Sequence, residues 1–281
     1  MQEDNKKKYS RRVLIKYGGN AMSSHKLKEQ IAGKIKELYD NGIQVVLVHG
    51  GGPFIEKSLK EAGIKSEFFN GQRFTSPEAL EQIEKTLKGE VNASLVNIFN
   101  KAGLKAVGLS GKDGQVVLAK KRWHLSSGES GEGTKLDLGQ VGDVLKVNTK
   151  LLLLLLDNGF TPVLTCIASD EAGNDFNING DIFAGKVAAA LKVDDYIVLT
   201  DVDGLFLNYP DPKSIISHIT LEDLPEYYKS VIQGGMIPKM ESCETAVQAG
   251  VQRSVLLNGT EPEQITNFVL ENQKIGTTLT K

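Results

Sequence analysis

The segment VLIKYGGNAM, Val13 to Met22, joins a short apolar run to a pair of glycines. An apolar run of this length that ends at a glycine turn is typical of a buried strand in a parallel sheet. In the P-loop, the phosphate-binding lysine follows the glycines and begins a helix. Here Lys16 precedes Gly18 and Gly19. This order indicates a lysine that comes up from the strand while the glycine amides lie beside it.

Further apolar runs of strand length alternate along the chain with segments of helical periodicity. The apolar runs are at residues 13–17, 44–49, 104–109, 160–167, 196–202 and 253–258. One helical stripe spans Leu27 to Leu38, and a second begins at the N-cap Ser76, with Pro77 in the first helical position, and continues to about Lys101. Strands that alternate with helices predict βαβ units, and therefore an α/β fold with a mostly parallel sheet covered on both faces.

Two segments depart from this alternation. Residues 111–142 are rich in glycine, serine and lysine, which predicts a β-hairpin excursion or lid at the sheet edge. The run Leu151–Leu156 is too short to span a bilayer, so we expect a helix that is buried on most of its surface. No clean boundary divides the chain, and we therefore expect one domain, residues 1–281, with two lobes that share a sheet.

Composition argues against several classes of protein. The 281 residues include 33 Lys and Arg and 35 Asp and Glu, so the net charge of −2 gives no basic field for a nucleic acid partner. Cys166 and Cys243 lack CxxC spacing, which argues against a disulfide scaffold or a zinc site. Without a signal-peptide pattern or a membrane-spanning run, we expect a cytoplasmic protein with no membrane partner.

Ligands of open α/β sheets bind beyond the carboxyl ends of the strands, so the residues after each strand are candidates. HGGGP, His49 to Pro53, places three glycines between a strand and a helix. Their exposed N–H groups at a helix N-terminus would form a nest for phosphate or carboxylate, whereas a tight turn alone needs one glycine and seldom three. Asp201 and Asp203 follow another strand and could bind a ribose or a metal, or cap the next turn.

Two later segments add charged and amide side chains. NDFNINGD, residues 174–181, precedes an alanine-rich helix that Asp181 could N-cap, but a cap leaves Asn177 and Asn179 unexplained. Lys239 stands at the start of a helix predicted over residues 241–249, where a cation is disfavoured unless an anion is near. Two lysines, an aspartate and two glycine nests are what phosphoryl transfer to an oxygen anion requires, because positioning and charge neutralisation do most of the catalysis.

Six motifs in order, IKYGGNAM, VLVHGGGP, NGQRFT, NINGD, LTDVDGL and GGMIPKM, resemble the amino acid kinase family and, within it, the acetylglutamate kinases. The resemblance covers nearly the whole chain. It implies a three-layer αβα sandwich around an open sheet, with an acylamino-acid-binding lobe at about 1–170 and an ATP-binding lobe at about 171–281. It also implies ATP-dependent phosphorylation of the side-chain carboxylate of N-acetyl-L-glutamate in arginine biosynthesis. Mg²⁺ would be bound by the ATP phosphates, with no metal site in the protein.

The resemblance further implies roles for single residues. Lys16 and Lys239 would stabilise the transferring phosphoryl group, and Asp181 would hold both lysines in place. Arg73 would clamp a substrate carboxylate in bidentate fashion. The other residues expected to bind the acylamino acid are Gly51, Gly52, Asn177 and Asn179, and those expected to bind ATP are Gly18, Gly19, Thr200, Asp201, Leu205, Tyr209 and Pro212.

Several alternatives remain open at the level of sequence. The chain could be a carrier-linked aminoadipate kinase, another amino acid kinase such as glutamate 5-kinase, or a non-catalytic nucleotide-binding regulator, and the joint presence of both lysines and Asp181 argues against the last. The segment before the first strand is short and polar, and Ser254 and Val255 replace the basic-His pair of arginine-inhibited members. We therefore expect a homodimer that arginine does not inhibit. The sequence gives no test of binding to a nitrogen-signalling regulator.

Overall fold

The computed structural model describes residues 9–22, 24–69, 72–126 and 134–281. Residues 1–8 of the polar N-terminal segment and 127–133 of the predicted hairpin lie outside this part. The strands are β1 (Arg11–Tyr17), β2 (Ile43–His49), β3 (Phe68–Phe69), β4 (Gln72–Arg73), β5 (Ala106–Ser110), β6 (Val117–Ser126), β7 (Thr134–Val147), β8 (Thr161–Thr165), β9 (Ile167–Ser169), β10 (Asp175–Ile178), β11 (Asp195–Thr200), β12 (His218–Thr220), β13 (Arg253–Asn258) and β14 (Thr277–Thr280).

Helices connect most of these strands. They are α1 (His25–Asp40), α2 (Gly52–Glu61), α3 (Pro77–Glu84), α4 (Ala93–Lys101), α5 (Lys150–Asp157), α6 (Gly180–Leu191), α7 (Leu224–Ser230), α8 (Met236–Gln248) and α9 (Glu263–Val269). A π-helical segment, Lys85–Asn92, joins α3 to α4. Ser76 caps α3 as predicted, because its hydroxyl accepts a hydrogen bond from the amide of Ala79 at 3.2 Å. None of the helices in the described part is long and apolar enough to cross a membrane.

The central sheet has eight strands in the order β12-β14-β13-β11-β1-β2-β8-β5. Neighbouring strands are parallel except for β13 and β14. Buried apolar side chains form one cluster between the sheet and helices α2, α3, α5, α6 and α8. A second cluster lies on the other face of the sheet, under α1, α4 and α9. The predicted three-layer αβα sandwich around a mostly parallel sheet is therefore confirmed.

Alternation along β1 decides which way its lysine faces. Val13 and Ile15 pack in the cluster under α1, whereas Leu14 packs in the cluster under α6. Successive side chains of a strand point to opposite faces, so Lys16 leaves the sheet on the same face as Leu14. That face is the one that α6 covers, and β1 and α6 are in contact.

The excursion predicted over residues 111–142 is a hairpin of β6 and β7, but its place differs from the prediction. Strands β10, β7, β6 and β9 form a small closed barrel rather than an addition at the edge of the sheet. The reason is that β9 follows β8 almost directly and β10 leads into α6, so the hairpin pairs with both. The barrel therefore lies beyond the carboxyl end of β8.

The leucine run forms α5, and five of its six leucines lie in or against the hydrophobic cluster on the α6 face of the sheet. Leu152 and Leu156 are buried, while Leu154 is 61% exposed. The helix packs on β8 along one side, so the two leucines spaced four apart are the most deeply buried, and Leu154 lies on the opposite side. Apolar composition alone does not show which face of a helix will find a partner.

Candidate active site

Two glycine turns meet where β1 and β2 end. Gly18 and Gly19 follow β1, and Gly50 to Gly52 follow β2 and begin α2. The amide of Gly50 donates to the carbonyl of Tyr17 at 3.1 Å, which ties the second turn to the end of β1. Together they border a cavity of about 260 Å³, whose other lining residues are Lys16, Ile55, Phe68, Arg73, Leu87, Arg122, Val141, Gly142, Cys166, Asn177, Ile178, Asn179, Gly180 and Asp181.

One carboxylate at this cavity contacts both predicted lysines, of which Lys16 also lines the cavity. Asp181 Oδ1 lies 2.7 Å from Lys16 Nζ, and Asp181 Oδ2 accepts a hydrogen bond of 3.2 Å from Lys239 Nζ. The side chains of Lys16, Asp181 and Lys239 are only 7, 9 and 19% exposed. Oδ1 is buried and has no well-aligned hydrogen-bond donor, so its contact with Lys16 is an ion pair. The structure thus brings together the three side chains that the sequence singled out.

The position of Asp181 on α6 differs from the prediction. Asn179, and not Asp181, is the N-cap, and its Oδ1 accepts from the amides of Asp181 and Ile182 at 2.9 and 3.2 Å. Asp181 lies in the first helical turn, where the helix dipole favours an acidic side chain. Because it does not cap the helix, its carboxylate is available to both lysines.

Lys239 also lies further inside its helix than predicted. α8 begins at Met236 rather than at residue 241, so Lys239 is in its first turn. A Cβ placed on Gly185 of α6 would lie 2.6 Å from the carbonyl oxygen of Ser242, which shows how closely α6 and α8 approach. This close packing brings the first turns of both helices together, and the carboxylate of Asp181 offsets the unfavourable position of the lysine.

The protonation of the cluster follows from burial and charge. Burial alone would raise the pKa of Asp181, but Lys16 and Lys239 lower that pKa below its ordinary value. Burial and the nearby Lys16 lower the pKa of Lys239, while Asp181 opposes this shift. With the aspartate ionised and both lysines charged, the cluster carries a net positive charge. Such a cluster stabilises an anion that arrives between the lysines.

A second group of polar side chains faces the other part of the cavity. The Arg73 side chain is held by Glu56, with Nη1 donating to Oε2 at 2.8 Å, and its guanidinium lies 4.5 Å from the ring centre of Phe68. Asn177 and Asn179 line the same cavity. Arginine and amide groups of this kind are suited to binding a carboxylate and an amide.

Arg122 also lines the cavity and was not predicted. It lies on β6, and its Nη1 donates to Asp143 Oδ1 on β7 at 3.0 Å. The register of β6 and β7 shifts between Lys121 and Trp123, and such irregularities re-aim side chains. Because the shift is produced by strand pairing, residue types alone do not indicate it.

The residues predicted to bind ATP fall into two groups. Gly18 and Gly19 lie at the cavity, whereas the others are in or after β11, the neighbour of β1 in the sheet. Among the latter, Thr200 and Leu205 are buried and Tyr209 is 71% exposed. The members outside the cavity lining are Thr200, Asp201, Leu205, Tyr209 and Pro212. Their role in nucleotide binding stays a prediction.

Within the described ranges, no group of three or more His, Cys, Asp and Glu side chains is placed to hold a metal ion. The cavity instead combines a cationic cluster, two glycine turns and an arginine at separate places on its wall. This arrangement can hold two anionic groups next to each other and neutralise the charge of a group that passes between them.

Two relatives with similar sequences are both acetylglutamate kinases. The acetylglutamate kinase of Methanocaldococcus jannaschii is 41% identical over 274 residues, which is 97% of this chain and 91% of that protein. The acetylglutamate kinase of Archaeoglobus fulgidus is 42% identical over 271 residues, which is 96% of this chain and 93% of that protein.

Solved structures agree with the fold. A crystal structure of a Streptococcus mutans protein is similar with a TM-score of 0.75 and 30% identity, over 96% of this chain and 98% of that one. N-acetylglutamate synthase from Neisseria gonorrhoeae has a TM-score of 0.80 at 20% identity, over 98% of this chain and 60% of that one, which shows the fold alone. The model of the amino acid kinase family matches residues 11–258. The chain therefore belongs to the amino acid kinase family.

Proposed function

We propose that this protein transfers the γ-phosphoryl group of ATP to the side-chain carboxylate of N-acetyl-L-glutamate, giving N-acetyl-L-glutamyl 5-phosphate. The observation that carries the proposal is the Lys16–Asp181–Lys239 cluster at a cavity that also contains Arg73. The relatives named acetylglutamate kinase support the choice of substrate, and a place in arginine biosynthesis follows from that substrate.

The acceptor is a dianion at neutral pH, since both of its carboxyl groups have ordinary pKa values near 4. Arg73 would bind the α-carboxylate while its Nη1 remains held by Glu56. The Oδ1 of Asn179 is engaged by the amides at the start of α6, so its Nδ2 is the group left to donate to the acyl carbonyl. Asn177 would contact the other polar atoms of the acylamino group.

Transfer needs no general base, because the attacking carboxylate oxygen is already ionised. That oxygen forms a bond to the γ-phosphorus while the bond from phosphorus to the bridging oxygen of ADP breaks, and the electron pair leaves with ADP. Lys16 and Lys239 offset the charge on the passing group, and Asp181 holds them on either side of its path. The amides of Gly18, Gly19, Gly51 and Gly52 would orient the phosphoryl and acceptor oxygens.

The nucleotide would lie beyond the end of β11, in the lobe at about 171–281, with the acceptor in the lobe at about 1–170. Thr200, Asp201, Leu205, Tyr209 and Pro212 would form its pocket. Mg²⁺ would arrive bound to the ATP phosphates, since phosphates supply the oxygen ligands that this ion prefers.

Assembly forms part of the same proposal. Among the described strands, β5 is at one edge of the central sheet, and an unpaired edge can pair with that of a second copy. We therefore propose a homodimer, while the cytoplasmic location and the lack of inhibition by arginine remain predictions from the sequence. Light scattering during size-exclusion chromatography measures the oligomeric state, and a hexamer would contradict the proposed homodimer. Titration of the purified enzyme with arginine tests whether arginine inhibits it.

A coupled ADP-release assay on the purified protein tests the activity. N-acetyl-L-glutamate, L-glutamate and aminoadipate are compared as acceptors, and turnover with the first alone is expected. Arg122, the additional cation at the acceptor pocket, is paired with Asp143, which offsets its charge toward an acidic carrier. Lys16→Ala is the control, because loss of one preorganised charge lowers turnover by about a hundredfold or more. Preferred turnover of aminoadipate, or an active Lys16→Ala variant, would contradict the proposal.

A further inference from the structure

His49, the first residue of HGGGP, is fully buried and takes no part in the transfer described above. It ends β2, directly before the glycine turn that borders the cavity. Its Nδ1 lies 2.9 Å from the carbonyl oxygen of Gly50, and its Nε2 lies 2.9 Å from Nδ2 of Asn92. Both ring nitrogens therefore have partners within the protein.

The partners of Asn92 determine where the imidazole proton is. The same Nδ2 of Asn92 lies 2.9 Å from the carbonyl oxygen of Val163. A backbone carbonyl only accepts, so this end of the side chain must be the NH₂ group, and it donates both to Val163 and to His49. Nε2 of His49 is consequently an acceptor, and the neutral ring carries its proton on Nδ1, from which it donates to Gly50. Burial lowers the pKa of His49 to about 4, in agreement with a neutral ring.

This hydrogen bond sets the direction of the next peptide group. In a planar trans peptide, the C=O of Gly50 and the N–H of Gly51 point in opposite directions. With its carbonyl held toward His49, the Gly50–Gly51 peptide turns the Gly51 amide away from the buried ring. Gly51 lines the cavity, and the amide of Gly50 is fixed separately by the carbonyl of Tyr17 at 3.1 Å. The turn is thus held on both sides.

The π-helical segment places Asn92 where this arrangement needs it. Leu87 of the same segment packs under the turn, since a Cβ on Gly51 would lie 2.6 Å from its Cδ2. Leu87 and Asn92 are five residues apart, and a regular α-helix would separate their directions by about 140°. The wider π turn brings residues five apart closer to one side, and π segments often occur at functional sites. The irregular helix therefore lets one element support the glycine turn and hold His49.

We propose that His49 and Asn92 are positioning residues: Asn92 fixes the tautomer of His49, and His49 aims the Gly51 amide into the anion-binding cavity. The tautomer is independent of which reaction the protein catalyses. The kinetic consequence rests on the proposed function, because it assumes that the Gly51 amide contacts the transferring group or its acceptor.

The first experiment is ¹⁵N NMR of the histidine side chains in the ligand-free protein, which has four histidines. The resonance of His49 is assigned by its loss in His49→Asn. We expect a neutral ring protonated on Nδ1 throughout the neutral pH range. A proton on Nε2 in the unsubstituted protein would overturn the inference, and this measurement requires no turnover.

The second experiment uses Asn92→Asp, which keeps the shape of the side chain but replaces its NH₂ donor by an acceptor. A carboxylate can accept only from a protonated Nε2, so the ring must change its tautomer or become charged. We expect kcat to fall by roughly 10- to 100-fold, the scale seen at metal sites when a hydrogen-bond partner that orients a ligand is lost. Thr86→Val is the matched control, because Thr86 is equally buried in the π-helical segment but hydrogen-bonds to Ser58 and Gln82 instead.

Rescue separates positioning from a loss of packing. His49→Asn can place its Nδ2 near the position of the ring Nδ1 and donate to Gly50, whereas His49→Leu cannot. We expect His49→Asn to retain more of kcat than His49→Leu at similar stability. Equal kcat in these two variants, or a wild-type kcat in Asn92→Asp, would overturn the inference. Absence of turnover with every acceptor would instead overturn the proposed function and leave the ring spectrum to decide the tautomer.

Discussion

Replacement of Asp181 by asparagine tests the cationic cluster most directly. The amide keeps the shape of the carboxylate but removes the charge that Lys16 contacts at 2.7 Å and Lys239 at 3.2 Å. Both ammonium groups would remain largely buried and would face each other without the anion between them. We expect lower stability, a lower kcat and a change in the pH dependence of the reaction.

The distance between the charges gives the size of the expected loss of stability. At 3.2 Å and an effective dielectric constant of about 20, the attraction between Asp181 and Lys239 is about 5 kcal/mol. Removal of one partner of a buried ion pair costs about 3–5 kcal/mol of stability. The variant recovers part of this by releasing a proton from Lys239. Loss of a preorganised electrostatic group lowers kcat by about 10²–10³.

The direction in which the pH–kcat profile moves follows from the groups that shift the pKa of Lys239. Burial and Lys16 lower the pKa of Lys239, and Asp181 opposes them. Removing the carboxylate therefore lowers this pKa further. If transfer requires a charged Lys239, activity is lost as the pH rises through its pKa. The alkaline limb of the pH–kcat profile should then move to lower pH in Asp181→Asn.

Asp195→Asn is a matched control for this experiment. Asp195 is a buried carboxylate that also contacts two cations, Arg11 and Arg253, but it lies at the amino end of β11. Its substitution should lower the free energy of unfolding without moving the alkaline limb. The measurements are denaturant unfolding and kcat from the coupled assay between neutral and alkaline pH. An alkaline limb at the same pH in Asp181→Asn and the unsubstituted enzyme would refute the reasoning.

Three further substitutions give separate outcomes. Arg73→Lys loses bidentate binding, so the KM of the acceptor should rise by roughly 10- to 100-fold while the KM of ATP stays unchanged in initial-rate assays. Gly185→Ala places a Cβ 2.6 Å from the carbonyl oxygen of Ser242, so it should cost about 1–3 kcal/mol in denaturant unfolding and lower kcat by displacing Lys239. Gly180→Ala meets its nearest atoms at 3.7 Å or more, and should leave stability unchanged or raise it by about 0.4–1 kcal/mol in the same measurement.

Much of the site could be predicted because parallel strands end at one edge of the sheet. Lys16 at the end of β1 and the glycines after β2 needed only the pattern of apolar runs to be placed together. Lys239 needed a further argument, namely that a cation near a helix N-terminus is disfavoured unless an anion is near, and the role of Asp181 came from the resemblance. The structure confirms that these side chains meet, and it places Arg73 at the same cavity.

What the sequence did not reveal depends on packing and register. Asn179 and Asp181 are both good N-cap residues two positions apart, and only the path of the chain out of β10 decides between them. Arg122 reaches the cavity through a register shift, and Asn92 reaches His49 through a π-helical segment. Neither irregularity has a signature in residue type, because each is a compromise between neighbouring elements rather than a local preference.

The order of lysine before glycine in the first motif has a physical reason in the structure. Because Lys16 still belongs to β1, its side chain leaves the sheet toward α6 and then turns over the end of the strand. A Cβ on Gly18 would lie 3.0 Å from Lys16 Nζ and 3.4 Å from its Cε, so any larger residue there would press on the ammonium group. The glycine thus makes room for the lysine as well as exposing an amide. A lysine after the glycines would begin a helix and could not reach Asp181 from the sheet side.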